Sequence, residues 1–307
     1  MFSLLIPVYN EEGLIDELVS RSVKALETFT SNYEILFIND GSTDTTLNKL
    51  LAVREKHLHI KIIDLSRNFG HQAAYTAGLE MALGNYVALM DGDLQDPPEF
   101  LVDMYKKMKD ESLDIISGRR HGRKGKRLRL ATNIFHSLFK KVSEIDGIEN
   151  AGNFSIMNRM AVNALLTMKE SIRYLPGLRS FIGFKQGFFE YVREDRSKGE
   201  PKMTLSKLVV LGADAIFSFS KFPIKVCLFL GIFGTIIFML AGFYALVGKI
   251  MGFALFGWSS TVLSIYFLGS IQLIFLGILG EYIYRIYKES QNRPIYLIRK
   301  IYDADSE

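Results

Sequence analysis

Two aspartates one residue apart, Asp91 and Asp93, close an apolar stretch running from Tyr86 to Met90, and Gln95, Asp96 and a Pro97-Pro98 pair follow directly. Paired carboxylates suit a hard divalent cation such as Mg²⁺ or Mn²⁺. Such ions take oxygen ligands, usually one or two protein carboxylates plus the oxygens of a substrate phosphate. The spacing allows both groups on the metal, or one on the metal and the other on a ribose. In isolation an acidic pair of this kind is more often a solvated turn, so its meaning depends on the elements that present it.

Those elements alternate along the chain. Ser3 to Val8 is an apolar run closed by Pro7, Tyr9 and Asn10; Glu11 and Glu12 follow, and the spacing of Leu14, Ile15, Leu18 and Val19 predicts a helix. Tyr33 to Asn39 is a second strand ending in Asp40-Gly41-Ser42, with Thr43 or Asp44 placed to cap a helix over 45–56. Lys61 to Leu65 is a third, ending in SRNFG before a helix over 70–83; Tyr86 to Met90, Ile115 to Gly118 and Gln186 to Val192 complete the set. Strands alternating with helices of this length predict an α/β domain whose mostly parallel sheet is covered on both faces.

In such a sheet ligands bind beyond the carboxyl ends of the strands. Pro7, Tyr9, Asn10, Glu11, Asp40, Ser42, Arg67, Asp91 and Asp93 are therefore expected to share one rim. They offer a flat proline or aromatic wall, carboxylates for ribose or base donors, a cation for phosphate and a metal seat. Together these would hold a nucleoside diphosphate, although singly each is weak evidence: Asp-Gly-Ser is usually only a turn. No G-x-G-x-x-G follows the first strand, which argues against a dinucleotide-dependent oxidoreductase.

IPVYNE (6–11), NDGSTDTT (39–46), SRNFG (66–70) and DGDLQDPPE (91–99) resemble the ordered motifs of glycosyltransferase family 2, and more closely its polyprenyl-phosphate branch. The resemblance covers nearly the whole chain. It implies a Rossmann-like GT-A fold in which Pro7, Tyr9, Glu11 and Asp40 hold the nucleotide, and Asp91, Asp93 and Gln95 bind Mg²⁺ or Mn²⁺ across the diphosphate. It also implies an inverting transfer of a hexose, most plausibly from UDP-glucose, to undecaprenyl phosphate. NAGNFSIMNR (150–159) falls where relatives commonly read D-x-G-D-F-R-L, and Asn153 replaces an acid that is a candidate base. An amide cannot accept a proton. A phosphate monoester, however, is largely ionised at neutral pH with a second pKa of about 6, so positioning and charge neutralisation would carry most of the rate.

RYLPGLRSFIGFK (173–185) resembles a segment beneath the acceptor site. After it, Arg193, Arg196, Gly199, Glu200 and Lys202 keep most of a family R-x-x-R-x-x-G-E-S-K pattern, with Pro201 in place of Ser. By resemblance Arg193, Arg196 and Lys202 are candidates for the acceptor phosphate or the leaving diphosphate, on a loop that would close over the site. Proline removes any backbone donor at 201. Seven of the eleven residues from Arg119 to Arg129 are basic. This is either a solvated charge run or an anionic-lipid contact, and Arg119 and Arg127 are further acceptor candidates. Nucleic acid would be the competing partner; it is disfavoured because apolar spans follow.

Residues 204–222 form an amphipathic stretch that suits either the bilayer interface or packing on the soluble domain. Val226 to Val247 carries 22 residues without a charge, roughly 33 Å of helix and enough to cross a bilayer core of about 30 Å. A second uncharged stretch spans Ile250 to Gly280, with Trp258 near its start. Lys221 and Lys225 precede the first span, and Arg285, Lys288, Arg293, Arg299 and Lys300 follow the second, so both termini are expected on the cytoplasmic side of the inner membrane. The expected organisation is a catalytic domain over 1–203, the amphipathic segment, a two-helix hairpin over 223–284 and a basic tail over 285–307. Glycines in the hairpin would allow close helix contacts and a homo-oligomer.

The net charge of the 307 residues is only +4, and the single Cys227 excludes an internal disulfide. The opening apolar run is too short for a cleavable signal. Two other functions fit parts of the pattern. A processive polysaccharide synthase would usually carry more spans and Q-x-x-R-W, which the chain lacks. A non-catalytic nucleotide-binding scaffold would account for Asn153 and Pro201.

Overall fold

Seven-residue apolar runs are buried along their whole length only when helices cover both faces of the sheet. Phe2–Val8 (β1) and Tyr33–Asn39 (β2) are buried at every position. The computed structural model describes residues 1–121, 151–171, 173–192, 222–251 and 257–303. They divide into two compact units, one of 1–121, 151–171, 173–192 and 293–303, the other of 222–251 and 257–292.

In the first unit β1 lies between two parallel partners, β2 and Tyr86–Leu89 (β4), while β2 pairs in parallel with Ile60–Leu65 (β3). Helices Ile15–Glu27 (α1), Thr46–Arg54 (α2) and His71–Met81 (α3) link them. α1 buries one stripe, Ile15, Leu18, Val19, Ser22, Ala25 and Leu26, as its period requires. α3 is buried at seven consecutive positions, 73–79, which requires cover on the face away from the sheet as well as on it. A Cβ at Gly78 would sit 2.6 Å from Leu5 Cδ2 and 2.9 Å from Ile38 Cδ1, so any larger residue there forces those methyls to shift.

Beyond β4 the direction changes. Phe100–Asp110 (α4) leads to Ile115–His121 (β5); Ala151–Asn158 (β6) then runs antiparallel between β4 and β5. Arg159–Thr167 (α5) and Leu175–Phe181 (α6) precede Gln186–Val192 (β7), which pairs in parallel with β5. The sequence predicts every parallel strand to within a few residues. It reads 150–159 only as a motif, and the structure makes most of it the antiparallel β6.

Part of the stretch 285–307, expected as a basic tail, belongs to the sheet. Ile298–Tyr302 (β8) joins the sheet antiparallel to β3, giving the order β7-β5-β6-β4-β1-β2-β3-β8. A half-exposed edge strand of five residues has little periodicity to announce it.

The second unit consists of two long helices, Phe222–Ile250 (α7) and Trp258–Ser290 (α8). Large apolar side chains such as Phe229, Ile232, Phe233, Leu273 and Leu276 are exposed on them. Among the described residues, one stretch, the 24 residues Phe267–Ser290, is long and apolar enough to cross a membrane, and none of it is buried. Residues 204–221, expected to be amphipathic, lie outside the described residues.

Gly78→Ala should cost about 1–3 kcal/mol by overpacking the α3–sheet contact, lowering the thermal midpoint of the detergent-solubilised chain. An unchanged midpoint would mean that the contact yields without strain.

Candidate active site

Met90 donates its N–H to Leu5 O at 3.0 Å, holding the end of β4 against β1 so that Asp91 emerges at the carboxyl edge. There Oδ1 of Asp91 lies 2.8 Å from His71 Nε2, accepts from Tyr75 Oη at 2.8 Å and takes a longer contact from Asn153 Nδ2 at 3.5 Å. His71 and Tyr75 are four residues apart on α3, which puts them on one face, and their rings meet edge to face at 4.7 Å. The His71 and Asp91 side chains are 42% and 20% exposed, so the pair is open to a ligand.

Burial opposes a charge on His71, but the Asp91 carboxylate beside it, with Asp40 and Asp93 behind, outweighs that and raises its pKa. Burial, reinforced by the same Asp91 carboxylate, pushes the Tyr75 hydroxyl well above its ordinary value, so it remains a donor. The turn after Asp91 is tightly built. A Cβ at Gly92 would meet Pro7 O and Val8 Cγ1 at 2.9 Å each, which explains a glycine between the two aspartates. Buried Leu94 has φ +55°, a left-handed backbone that costs a side chain of this kind about 1–2 kcal/mol. Gln95 donates its N–H to Asp93 Oδ1 at 3.2 Å.

The other rim residues stitch their loops together. Asn10, at φ +52°, donates its N–H to Ser42 Oγ at 3.0 Å and accepts at Oδ1 from Thr43 N at 2.8 Å. Glu11 N donates to Thr46 Oγ1 at 3.0 Å. Asp40, only 4% exposed, accepts from Phe69 N at 2.8 Å on Oδ1 and from Gly70 N at 3.0 Å on Oδ2. Burial raises its pKa, while those two N–H groups pull the other way. Arg67 stacks over the Phe69 ring at 4.2 Å and donates to Asn68 O at 3.1 Å. Tyr9 stays 37% exposed. Pro7 lies in β1 opposite Ile38. These contacts tie the loops after β1, β2 and β3 together, with Asp40 buried against the Phe69 and Gly70 amides and Ser42 held between Asn10 and Asn39.

Asn153 on β6 joins this group from the other side, its Oδ1 accepting from Gln72 Nε2 at 3.4 Å. An acid at this position would set a second carboxylate 3.5 Å from Asp91, a like-charge contact that forces one group to stay protonated; the amide donates instead. Beneath it Arg179, 1% exposed, donates to Asn153 O at 3.1 Å, to Gly152 O at 2.5 Å and to Ser155 Oγ. Burial lowers its pKa to about 10, which leaves it charged at neutral pH. Sequence inspection singles out none of His71, Gln72, Tyr75 and Arg179. The one available signal was the i, i+4 spacing of His71 and Tyr75 behind SRNFG.

Arg119 stacks on Phe188 of β7 at 4.0 Å, and none of its described contacts is to the rim residues above. Arg127, Arg193, Arg196 and Lys202 lie outside the described residues.

A GT-A-like α/β sheet thus gathers carboxylates, an imidazole and short polar loops at its carboxyl edge. Residues 3–166 match the glycosyl transferase family 2 domain, and the chain belongs to that family: it is a glycosyltransferase. It is 38% identical to the uncharacterized glycosyltransferase YkcC of Bacillus subtilis, covering 100% of this chain and 95% of that protein. It is 36% identical to the bactoprenol glucosyl transferase of Shigella phage SfII, covering 97% of each. A prophage bactoprenol glucosyl transferase homolog of Escherichia coli is 35% identical over 97% of this chain and 98% of its own length.

Asp40→Asn keeps one acceptor and turns an NH₂ toward the Phe69 or Gly70 N–H. The expected cost is about 1–3 kcal/mol, with faster hydrogen exchange at those two amides. Unaltered exchange would show that something else holds the 66–70 loop.

Proposed function

We propose that this glycosyltransferase moves glucose from UDP-glucose to undecaprenyl phosphate at the cytoplasmic face of the membrane, with inversion at the anomeric carbon. The observation that carries it is the placement of Asp91 and Asp93 at the carboxyl edge, beside the loops that would seat a nucleotide, in a chain related along nearly its whole length to bactoprenol glucosyl transferases.

The donor set fits a divalent cation shared with substrate. Among the described residues no group of three His, Cys, Asp or Glu forms an all-protein metal cage, whereas two carboxylates completed by diphosphate oxygens suit Mg²⁺ or Mn²⁺. Asp91 and Asp93 would hold it, with Gln95 next to them. Once bound, the ion supplies charge neutralisation for the departing diphosphate.

The chain's own residues do the rest. Pro7, Tyr9 and Glu11 would border the nucleotide, and Arg67 and His71 would add positive charge beside the diphosphate. Asn153 would orient Asp91 and, with it, the sugar. A lipid phosphate oxygen attacks the anomeric carbon as its bond to the UDP oxygen breaks; UDP leaves with the bonding electrons, and no protein base is required. Arg193, Arg196 and Lys202 would meet the acceptor phosphate.

A membrane-crossing hairpin is supported by chain parity. Residues before α7 and residues after α8 contribute strands to one sheet, so the intervening chain returns to the side it left and crosses an even number of times. Two spans, α7 and α8, meet this requirement.

Purified full-length protein given UDP-glucose, Mn²⁺ and undecaprenyl phosphate should release UDP and form a glucosylated lipid detectable by mass. Asp93→Asn should reduce turnover at least 100-fold, about the effect of removing one principal stabiliser of the developing charge. Turnover unchanged in that variant would refute the metal assignment, and a polymeric product would refute the acceptor.

A further inference from the structure

The C-terminal strand reaches the nucleotide end of the rim. Arg299 of β8 donates from Nη2 to Ser66 O at 2.6 Å and sets Nη1 3.4 Å from Oδ2 of Asp64, a residue 235 positions earlier. Asp64 is 1% exposed, and its other oxygen accepts from Asn39 Nδ2 at 2.7 Å. Asn39, equally buried, in turn accepts at Oδ1 from Ser42 N at 3.2 Å, and Ser42 Oγ accepts from Asn10 N at 3.0 Å. One hydrogen-bonded line thus runs from β8 through the carboxyl ends of β3 and β2 to the loops after β2 and β1. A second contact fixes Ser66, the first residue of the loop whose Phe69 and Gly70 amides hold Asp40.

The strand is fastened independently of Arg299. Ser66 N donates to Leu297 O at 2.9 Å, Lys61 Nζ lies 2.5 Å from Asp303 Oδ2, Arg54 donates to Asp303 O, and Tyr296 Oη donates to Glu80 Oε2 at 2.5 Å. Arg299 is therefore not needed to keep β8 on the sheet. Its distinct contribution is a cationic donor on one oxygen of a buried carboxylate whose other oxygen holds Asn39.

We propose that Arg299 is a positioning residue of the nucleotide pocket, acting through Asp64 and Asn39 on the Ser42 and Asn10 loops. The proposal rests on the pocket's assignment to a nucleoside diphosphate sugar. Without Arg299 the carboxylate keeps only the neutral Asn39 amide, and the two loops lose their fixed reference. Ground-state binding of the nucleotide suffers, while the reacting end at Asp91 and Asp93 keeps its own supports.

The test uses the full-length protein in detergent with Arg299→Ala, Arg299→Lys and, as a control on the same strand, Lys300→Ala, whose side chain lies over the Tyr302 ring. Arg299→Ala should weaken UDP binding by calorimetry and raise the KM for UDP-glucose by about fivefold, the equivalent of one hydrogen bond, with kcat within about twofold of the parent. Arg299→Lys should recover part of the loss, since a lysine retains the charge but not the two-pronged contact. Lys300→Ala should leave UDP affinity and KM unchanged.

A ligand-free measurement separates this proposal from the functional one: hydrogen exchange at the Asn10 and Ser42 amides should quicken in Arg299→Ala and not in Lys300→Ala, whatever nucleotide the pocket takes. Unchanged exchange at those amides overturns the proposal. So does equal loss in both alanine variants, which would reduce Arg299 to edge-strand stability, or a fall in kcat alone.

Discussion

A single oxygen organises the candidate active site. Oδ1 of Asp91 has an imidazole and a phenol at 2.8 Å and a carboxamide at 3.5 Å. The first two come from α3 on one side of β4, the third from β6 on the other. A carboxylate gripped in this way has one orientation. Because hydrogen bonds to a charged group are stronger and shorter than neutral ones, the grip also ties helix and antiparallel strand to the end of β4. The rest of the arrangement follows from this anchoring. Gly92 must press against β1, Leu94 must turn left-handed, and Asp93 is then offered at the edge.

The remainder of the rim works on the same plan, with side chains of one loop satisfying the backbone of the next. Parallel strands bring their carboxyl-end loops together, but they do not by themselves set the distances between those loops. Asp40 sets one by accepting both amides of Phe69 and Gly70, and Asn10, Ser42 and Thr43 set another. Such contacts leave few buried polar groups without partners and hold the rim loops in one arrangement.

Much of this could be read in the chain beforehand, for identifiable physical reasons. β1 to β4 are buried on both faces and so appear as continuous apolar runs, and turn residues such as Asp40-Gly41-Ser42 mark their ends. The acidic pair at 91 and 93 stood out because charge seldom follows directly on such a run. β6 was obscured because Gly152 and Asn153 break the apolar pattern at its start. β8 was obscured because an edge strand with Arg299 and Lys300 at its centre looks like a charged tail. His71, Tyr75 and Arg179 lay beyond sequence inspection for another reason. Their significance arises from partners 16 to 27 residues away, a relation that local period and composition do not encode.

The return of β8 to the sheet places residues beyond α8 in the same domain as β1. The central claim is that the carboxylates anchored by this geometry receive a cation together with the diphosphate of a nucleotide. Anomalous diffraction from crystals of the full-length protein soaked with UDP and Mn²⁺ tests it most directly. The account predicts a manganese peak within coordination distance of the Asp91 or Asp93 carboxylate and of the diphosphate oxygens. UDP bound with its diphosphate away from both aspartates, or a manganese peak at another site, would contradict it.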